Sequence, residues 1–86
     1  MARARKQTKT LRTPAHRALC AVLRQIRQTS GVNQAELARK LHKPQSFVAK
    51  YEGGERRLDV VEFLAVANAL AVDPVRILRT IIRRLP

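Results

Sequence analysis

Hydrophobic residues recur along this 86-residue chain at intervals of three or four, which is the spacing of one helix face. This pattern predicts five helices, with no strand, separated by capping residues, prolines and glycines. The first helix is expected to use Thr13 as its N-cap and Pro14 as its first residue, and to end near Gly31. Its inner face would carry Leu19, Val22, Leu23 and Ile26.

The second and third predicted helices are short and are separated by a tight turn. Asn33 can cap the second helix, and Glu36 three residues later completes a pattern typical of a capping box. Pro44 cannot comfortably continue that helix but can open the next one, so His42 and Lys43 should form the turn. The inner faces would carry Ala35, Leu37, Ala38 and Leu41, then Phe47, Val48 and Tyr51, before Gly53 and Gly54 end the third helix.

Two further helices complete the predicted domain. Asp59 is the expected N-cap of the fourth helix, and Asp73 followed by Pro74 should open the fifth. Their apolar positions are Val60, Phe63, Leu64, Val66, Ala67 and Leu70 in the fourth, and Ile77, Leu78, Ile81, Ile82 and Leu85 in the fifth. We expect one all-α domain over residues 13–86, preceded over residues 1–12 by a basic arm that is disordered without a partner.

The charge of the chain indicates its class of partner. Lys and Arg number 18 against 6 Asp and Glu, so the formal net charge is +12, and every acid lies at Glu36 or later. Such a field favours a polyanion, either nucleic acid or an anionic membrane surface. Because Cys20 stands alone, no intramolecular disulfide can form, and no apolar run is long enough for a membrane span or a signal peptide. We therefore expect a cytoplasmic protein with no membrane partner.

Catalytic and metal chemistry find little support in the sequence. The chain has no phosphate-binding loop, no nucleophile beside a base and no carboxylate pair distinct from its capping acids, so neither an enzyme nor a cofactor is expected. His16 and Cys20 lie one helical turn apart, but a metal site would need further ligands nearby. Cys20 is interpreted as a small core residue, with a thiol sensor as the alternative.

The stretch LHKPQSFVAKYEGGERR, residues 41–57, has a polar segment where a buried helix would be apolar. Two short helices joined by a tight turn, the second beginning with hydrogen-bonding side chains, match a helix-turn-helix. In that motif the recognition helix enters the major groove by its N-terminus, where Gln can pair with adenine and Lys with guanine.

Residues 23–78 resemble the Xre family, which includes the lambdoid phage repressors and Cro proteins. The matching motifs are L-R-x-x-R-x-x-x-G-V-N-Q-A-E-L-A over residues 23–38, K-P-Q-S-F-V-A-K-Y-E-x-G over residues 43–54 and A-x-A-L-x-V-D-P over residues 67–74. The resemblance implies a compact five-helix, lambda-repressor-like DNA-binding fold. One departure is His42, where the family usually has glycine, so a non-glycine residue at positive φ and some strain are expected.

The resemblance also implies roles for individual residues. Gln34 resembles the glutamine that clamps a phosphate and supports the base-reading residues, and Arg27 and Glu52 match a buried ion pair. Phe47 could pack on a thymine methyl, although apolar spacing slightly favours a partly buried position. The candidate base-reading residues are Gln45, Ser46, Phe47 and Lys50. The candidate backbone contacts are Asn33, Gln34, Arg39, Lys40, Lys43, Arg56 and Arg57, each cation having a solvated basic surface as its alternative.

The fifth helix carries an apolar stripe that continues beyond residue 78, where the resemblance to the family ends. It could pack within the chain, but we favour a homodimer seam that places two recognition helices about one DNA turn, roughly 34 Å, apart on a palindromic operator. The stripe consists of Leu78, Ile81, Ile82 and Leu85.

The function expected from these features is sequence-specific regulation of transcription, with a repressor homodimer on double-stranded DNA. The alternative is an antitoxin that binds DNA and a toxin protein; an antirepressor is another conceivable protein partner. A weaker alternative is a membrane-surface protein that uses the arm with Arg79, Arg83 and Arg84. The arm itself either follows a DNA groove or adds affinity without specificity, and we favour the latter.

Overall fold

Five helices follow one another in the computed structural model, which describes residues 13–86. They are α1 (Pro14–Thr29), α2 (Gln34–Leu41), α3 (Gln45–Glu52), α4 (Val60–Ala69) and α5 (Pro74–Arg83). The described part of the chain contains no strand, which confirms the all-α prediction. The arm predicted over residues 1–12 lies outside the described residues.

The predicted capping residues begin four of the five helices. The Thr13 side chain accepts a hydrogen bond from the His16 amide at the start of α1. Asn33 and Glu36 form the predicted capping box of α2. The Asp59 and Asp73 carboxylates each accept an amide hydrogen bond in the first turn of α4 and α5, respectively. The spacing of capping residues therefore located these helix starts correctly.

α3 begins one residue later than its proline suggested. Pro44 is the N-cap rather than the first helical residue, because its ψ of 156° is extended. The helical conformation starts at Gln45. Unlike the N-caps of the other four helices, Pro44 makes no side-chain hydrogen bond to the first turn.

The turn between α2 and α3 contains the non-glycine residue at positive φ that the family resemblance implied. His42 adopts φ 57° and ψ 42°, in the left-handed region, and the next amide, that of Lys43, donates to the Ala38 carbonyl at 2.9 Å. This hydrogen-bonding arrangement closes the C-terminus of α2. Ala71 has the same φ in the turn between α4 and α5, a second left-handed non-glycine residue that the sequence pattern did not predict.

The core lies between the five helices and includes residues from each of them. Its fully buried members, Leu23, Leu37, Val48, Val66 and Ala67, are each 0% exposed. Ile81 also belongs to this core, at 8% exposed. Its place in the predicted homodimer seam is therefore corrected, because its side chain packs on its own chain beside Ile77.

Cys20 and His16 occupy the buried side of α1. The Cys20 thiol lies 3.6 Å from Nε2 of His16, and burial raises the pKa of the thiol. Within residues 13–86, no group of three or more His, Cys, Asp or Glu side chains is placed to hold a metal ion. At 7% exposed, Cys20 is one of the buried core residues. No helix in the same range is long and apolar enough to cross a membrane.

Candidate nucleic-acid interface

α3 divides into a buried side and an exposed side. Its buried residues are Phe47, Val48, Tyr51 and Glu52. Gln45, Ser46 and Lys50 are exposed, and their positions along the helix place them on one face. Three of the four candidate base-reading residues are therefore brought together on a polar surface that is not used for packing.

A buried ion pair fixes the end of α3 to α1. Nε of Arg27 donates to Oε2 of Glu52 at 2.7 Å, and Nη2 of Arg27 donates to Oε1 at 3.0 Å. Both residues are 8% exposed, and the hydrogen bonds with Glu52 raise the pKa of Arg27. Nη1 of Arg27 also donates to the Val32 carbonyl at 2.8 Å. The ion pair that the family resemblance implied is thus present, and it also ties down the segment between α1 and α2.

The same carboxylate holds the first residue of α2. Nε2 of Gln34 donates to Oε1 of Glu52 at 2.9 Å. Glu52 therefore links three helices through side-chain hydrogen bonds, and it orients Gln34 at the N-terminus of α2. This hydrogen bond joins the N-terminus of α2 to the C-terminus of α3, and it therefore fixes the position of the two helices relative to each other.

The other candidate backbone contacts lie in α2 and in the segments beside α2 and α3. Asn33 is exposed, and its side-chain oxygen accepts from the Glu36 amide at 2.8 Å as part of the α2 cap. The exposed cations of this region are Arg39 and Lys40 at the end of α2, Lys43 in the turn and Arg57 after α3. They add positive charge to α2 and to the segments that precede and follow α3.

Phe47 differs from the other candidate base-reading residues because its side chain points inward. It is 8% exposed, and its ring lies edge-on to Tyr51 with the ring centroids 5.6 Å apart. The guanidinium carbon of Arg56 is 4.6 Å from the Phe47 ring centroid, and Nζ of Lys43 is 5.5 Å from it. The ring is thus enclosed by its own chain, and we do not retain Phe47 as a base-reading residue.

Arg56 makes contacts that the sequence reasoning missed. Its Nη1 and Nη2 donate to the two carboxylate oxygens of Glu62 at 2.9 and 2.8 Å, and Nη1 also donates to the Arg57 carbonyl at 2.7 Å. Oε1 of Glu62 in turn accepts from the Asp59 amide at 3.0 Å, which completes a capping box on α4. The Arg56 guanidinium, together with the Asp59 amide, lowers the pKa of Glu62 to about 2.

Comparison with known proteins places this geometry in a family. A family model described as a helix-turn-helix domain matches residues 18–79. An XRE-family like protein from Pseudomonas syringae pv. tomato str. DC3000 is 40% identical, with a TM-score of 0.80 over 93% of this chain and 98% of that chain. The chain belongs to the Xre family of helix-turn-helix proteins. This is a family of DNA-binding regulators rather than of enzymes.

Two more distant structures share the fold. The restriction-modification controller protein C.Esp1396I, solved as a tetramer with its natural 35 base-pair operator, has a TM-score of 0.75 and 21% identity over 81% of this chain and 92% of that chain. The clp gene regulator ClgR from C. glutamicum has a TM-score of 0.76 and 24% identity over 84% of this chain and 92% of that one. No curated protein matches the sequence.

Glu52→Ala should destabilise the domain strongly. The substitution leaves the Arg27 guanidinium buried without its carboxylate, which typically costs about 3–5 kcal/mol. Urea unfolding followed by circular dichroism would measure the loss. Glu55→Ala is a matched control, since it removes one acid from an exposed position three residues away. A Glu52→Ala variant with the unfolding free energy of the wild type would contradict the structural role of the pair.

Acid should remove the contribution of Glu62 to stability. Its pKa is about 2 in the folded protein against an ordinary value of 4.5, so its contribution is complete above about pH 4.5. It is then lost as the pH falls toward 2. Glu62→Gln retains an oxygen that can accept from the Asp59 amide, and thus serves as the comparison. The difference in unfolding free energy between the two proteins should shrink from pH 4.5 to pH 2; a constant difference would show that Glu62 is not held by Arg56.

Proposed function

We propose that this protein is a sequence-specific transcription regulator that represses by occupying a palindromic operator as a homodimer. The observation that carries the proposal is the exposed polar face of α3, held in place by the buried Arg27–Glu52 pair. A helix that contributes four residues to the interior yet presents hydrogen-bonding side chains on its first turn is suited to insertion into the major groove.

The base-reading residues of this proposal are Gln45, Ser46 and Lys50. A glutamine amide can pair bidentately with adenine, a lysine ammonium can donate to O6 and N7 of guanine, and a serine hydroxyl can contact either base. Gln45 and Ser46 lie in the first turn of α3, and Lys50 follows one turn after Ser46. The three side chains would contact neighbouring base pairs.

Residues around this face would fix the position of the protein on the DNA backbone. Gln34 uses one N–H of its amide for Glu52, which leaves the second N–H to donate to a phosphate oxygen. The other contacts in the proposal are Asn33, Arg39, Lys40, Lys43 and Arg57. Such contacts set register and affinity without reading sequence. The net charge of +12 supports this role, as does the operator complex of the controller protein with the same fold.

The homodimer part of the proposal depends on α5. Leu78, Ile82 and Leu85 are 46%, 63% and 37% exposed, although all three are large and apolar. We infer that these residues pair across a two-fold axis with a second copy. Two α3 helices would then enter successive major grooves about one turn, roughly 34 Å, apart. Occupancy of such a site excludes polymerase, which gives repression.

Selection of bound sequences from a random duplex library tests this function. At near-physiological salt, the wild type should yield a two-fold symmetric motif, while Gln45→Ala and Lys50→Ala should each relax defined base pairs in both half-sites. Each lost bidentate pair should reduce discrimination by about 1–3 kcal/mol. Ile82→Glu should reduce the motif to a single half-site. Ala21→Glu, which adds the same charge at an exposed position of α1, should keep both half-sites.

Near-physiological salt is essential because a strongly cationic protein binds any duplex tightly in dilute buffer. Failure to select any motif would contradict sequence-specific regulation. If the wild type selects an asymmetric motif, only the homodimer part of the proposal is contradicted. The proposal that α3 reads bases would still stand.

A further inference from the structure

Arg56 lies in the segment between α3 and α4. A guanidinium has five N–H donors. Three of the donors of Arg56 bind acceptors of its own chain: two donate to the Glu62 carboxylate and one to the Arg57 carbonyl. The two hydrogen bonds to Glu62 have the parallel geometry of a bidentate pair, which fixes the plane of the guanidinium as well as its position.

The fixed guanidinium covers the ring of Phe47. Its carbon lies 4.6 Å from the ring centroid, within the range of a cation–π contact. Phe47 directly follows Ser46 in the first turn of α3, and precedes the fully buried Val48. The Arg56 contact therefore acts on the part of α3 whose neighbouring side chains face outward.

The charge of Arg56 is also neutralised, because its guanidinium pairs with the Glu62 carboxylate. Within residues 13–86, Arg27 pairs with Glu52 in the interior and Arg56 pairs with Glu62. Neither pair includes Arg39 or Lys40, which are exposed. Glu62 is itself anchored by its hydrogen bond with the Asp59 amide. The first turn of α3 is thus connected through Phe47, Arg56 and Glu62 to the first turn of α4.

We propose that Glu62 keeps Arg56 away from the DNA backbone and holds its guanidinium on Phe47, so that Arg56 is a positioning residue of the recognition helix and not a phosphate contact. This inference rests on the proposed DNA-binding function of α3. Arg56, which the sequence pattern grouped with the phosphate contacts, is thereby reassigned. Glu62 affects the specificity of DNA binding without itself contacting DNA.

The salt dependence of DNA affinity distinguishes the two roles of Arg56. Each phosphate neutralised by a cation contributes about 0.9 to the slope of log affinity against log salt concentration. An arginine already paired with Glu62 contributes little, and one released from Glu62 becomes able to contribute. A positioning role instead affects the preference for the operator over a random duplex.

The experiment measures affinity for the selected operator and for a random duplex of the same length over a series of salt concentrations. Arg56→Met should leave the random-duplex slope unchanged but weaken operator binding about three- to tenfold, from loss of the contact with Phe47. Arg39→Met, which removes an exposed cation, should reduce the slope by about 0.9. Circular dichroism should show that all variants keep the helical content of the wild type.

Glu62→Gln gives a second, independent test. It retains an acceptor for the Asp59 amide but releases Arg56, so the random-duplex slope should increase by about 0.9 and the preference for the operator should fall. Glu55→Gln makes the same change of net charge beside Arg56, and should leave the slope at the wild-type value.

Three results would overturn the proposal. They are a reduced slope in Arg56→Met equal to that in Arg39→Met, an unchanged slope in Glu62→Gln, or equal increases in Glu62→Gln and Glu55→Gln. Failure of the proposed function gives a different result, namely a wild-type protein that does not prefer any operator over a random duplex. The salt dependence of its affinity for the random duplex can still be compared with that of the Arg56 variants.

Discussion

The Arg27–Glu52 pair is the interaction on which the candidate DNA-binding surface depends. Hydrophobic burial drives these helices together but is not directional, so it does not by itself fix the rotation of a short helix. The charged hydrogen bonds from Arg27 hold the last residue of α3 against α1, and the additional bond from Gln34 sets the start of α2 against it. Burial of two charges is costly, and here the cost is offset because both carboxylate oxygens of Glu52 accept hydrogen bonds.

Short helices make this constraint necessary. α2 and α3 have eight residues each, too few for an isolated helix to be stable in water. Their conformation therefore comes from tertiary contacts, and in α3 four of the eight residues are buried. The opposite face of α3, with Gln45, Ser46 and Lys50, is exposed and does not pack against the rest of the chain. The two charged pairs hold different ends of α3, with Glu52 at its C-terminus and Arg56 over Phe47 near its N-terminus.

Much of the fold could be predicted from the sequence because its signals are local. Helix starts depend on a capping residue and its neighbours three positions away, as at Asn33 and Asp59. The helical period located most of the inner faces, but Ala35, assigned to the inner face of α2, is exposed, as are the apolar Val60 and Leu64 of α4. Between adjacent isoleucines, however, the pattern did not decide which one would face inward. Ile81 lies four residues after the buried Ile77 and joins it in the core, while Ile82 stays exposed.

The features that sequence reasoning missed depend on contacts across loops. Arg56 and Glu62 are six residues apart and belong to no common helix, so no spacing rule predicts their pairing. The inward orientation of Phe47, which apolar spacing slightly favours, brings its ring against Arg56 and Tyr51. Ala71 was missed because alanine carries no signal for a left-handed conformation, whereas His42 was anticipated from the position where the family has glycine.

Amide chemical shifts of the isotope-labelled protein, titrated with a DNA duplex, test the central claim most directly. The account predicts that the largest shift changes occur at Gln34, Gln45, Ser46 and Lys50, with little change along the exposed arginines of α5. Largest changes on α5, with the first turn of α3 unaffected, would contradict the account, because DNA would then bind a face that the Arg27–Glu52 pair does not organise.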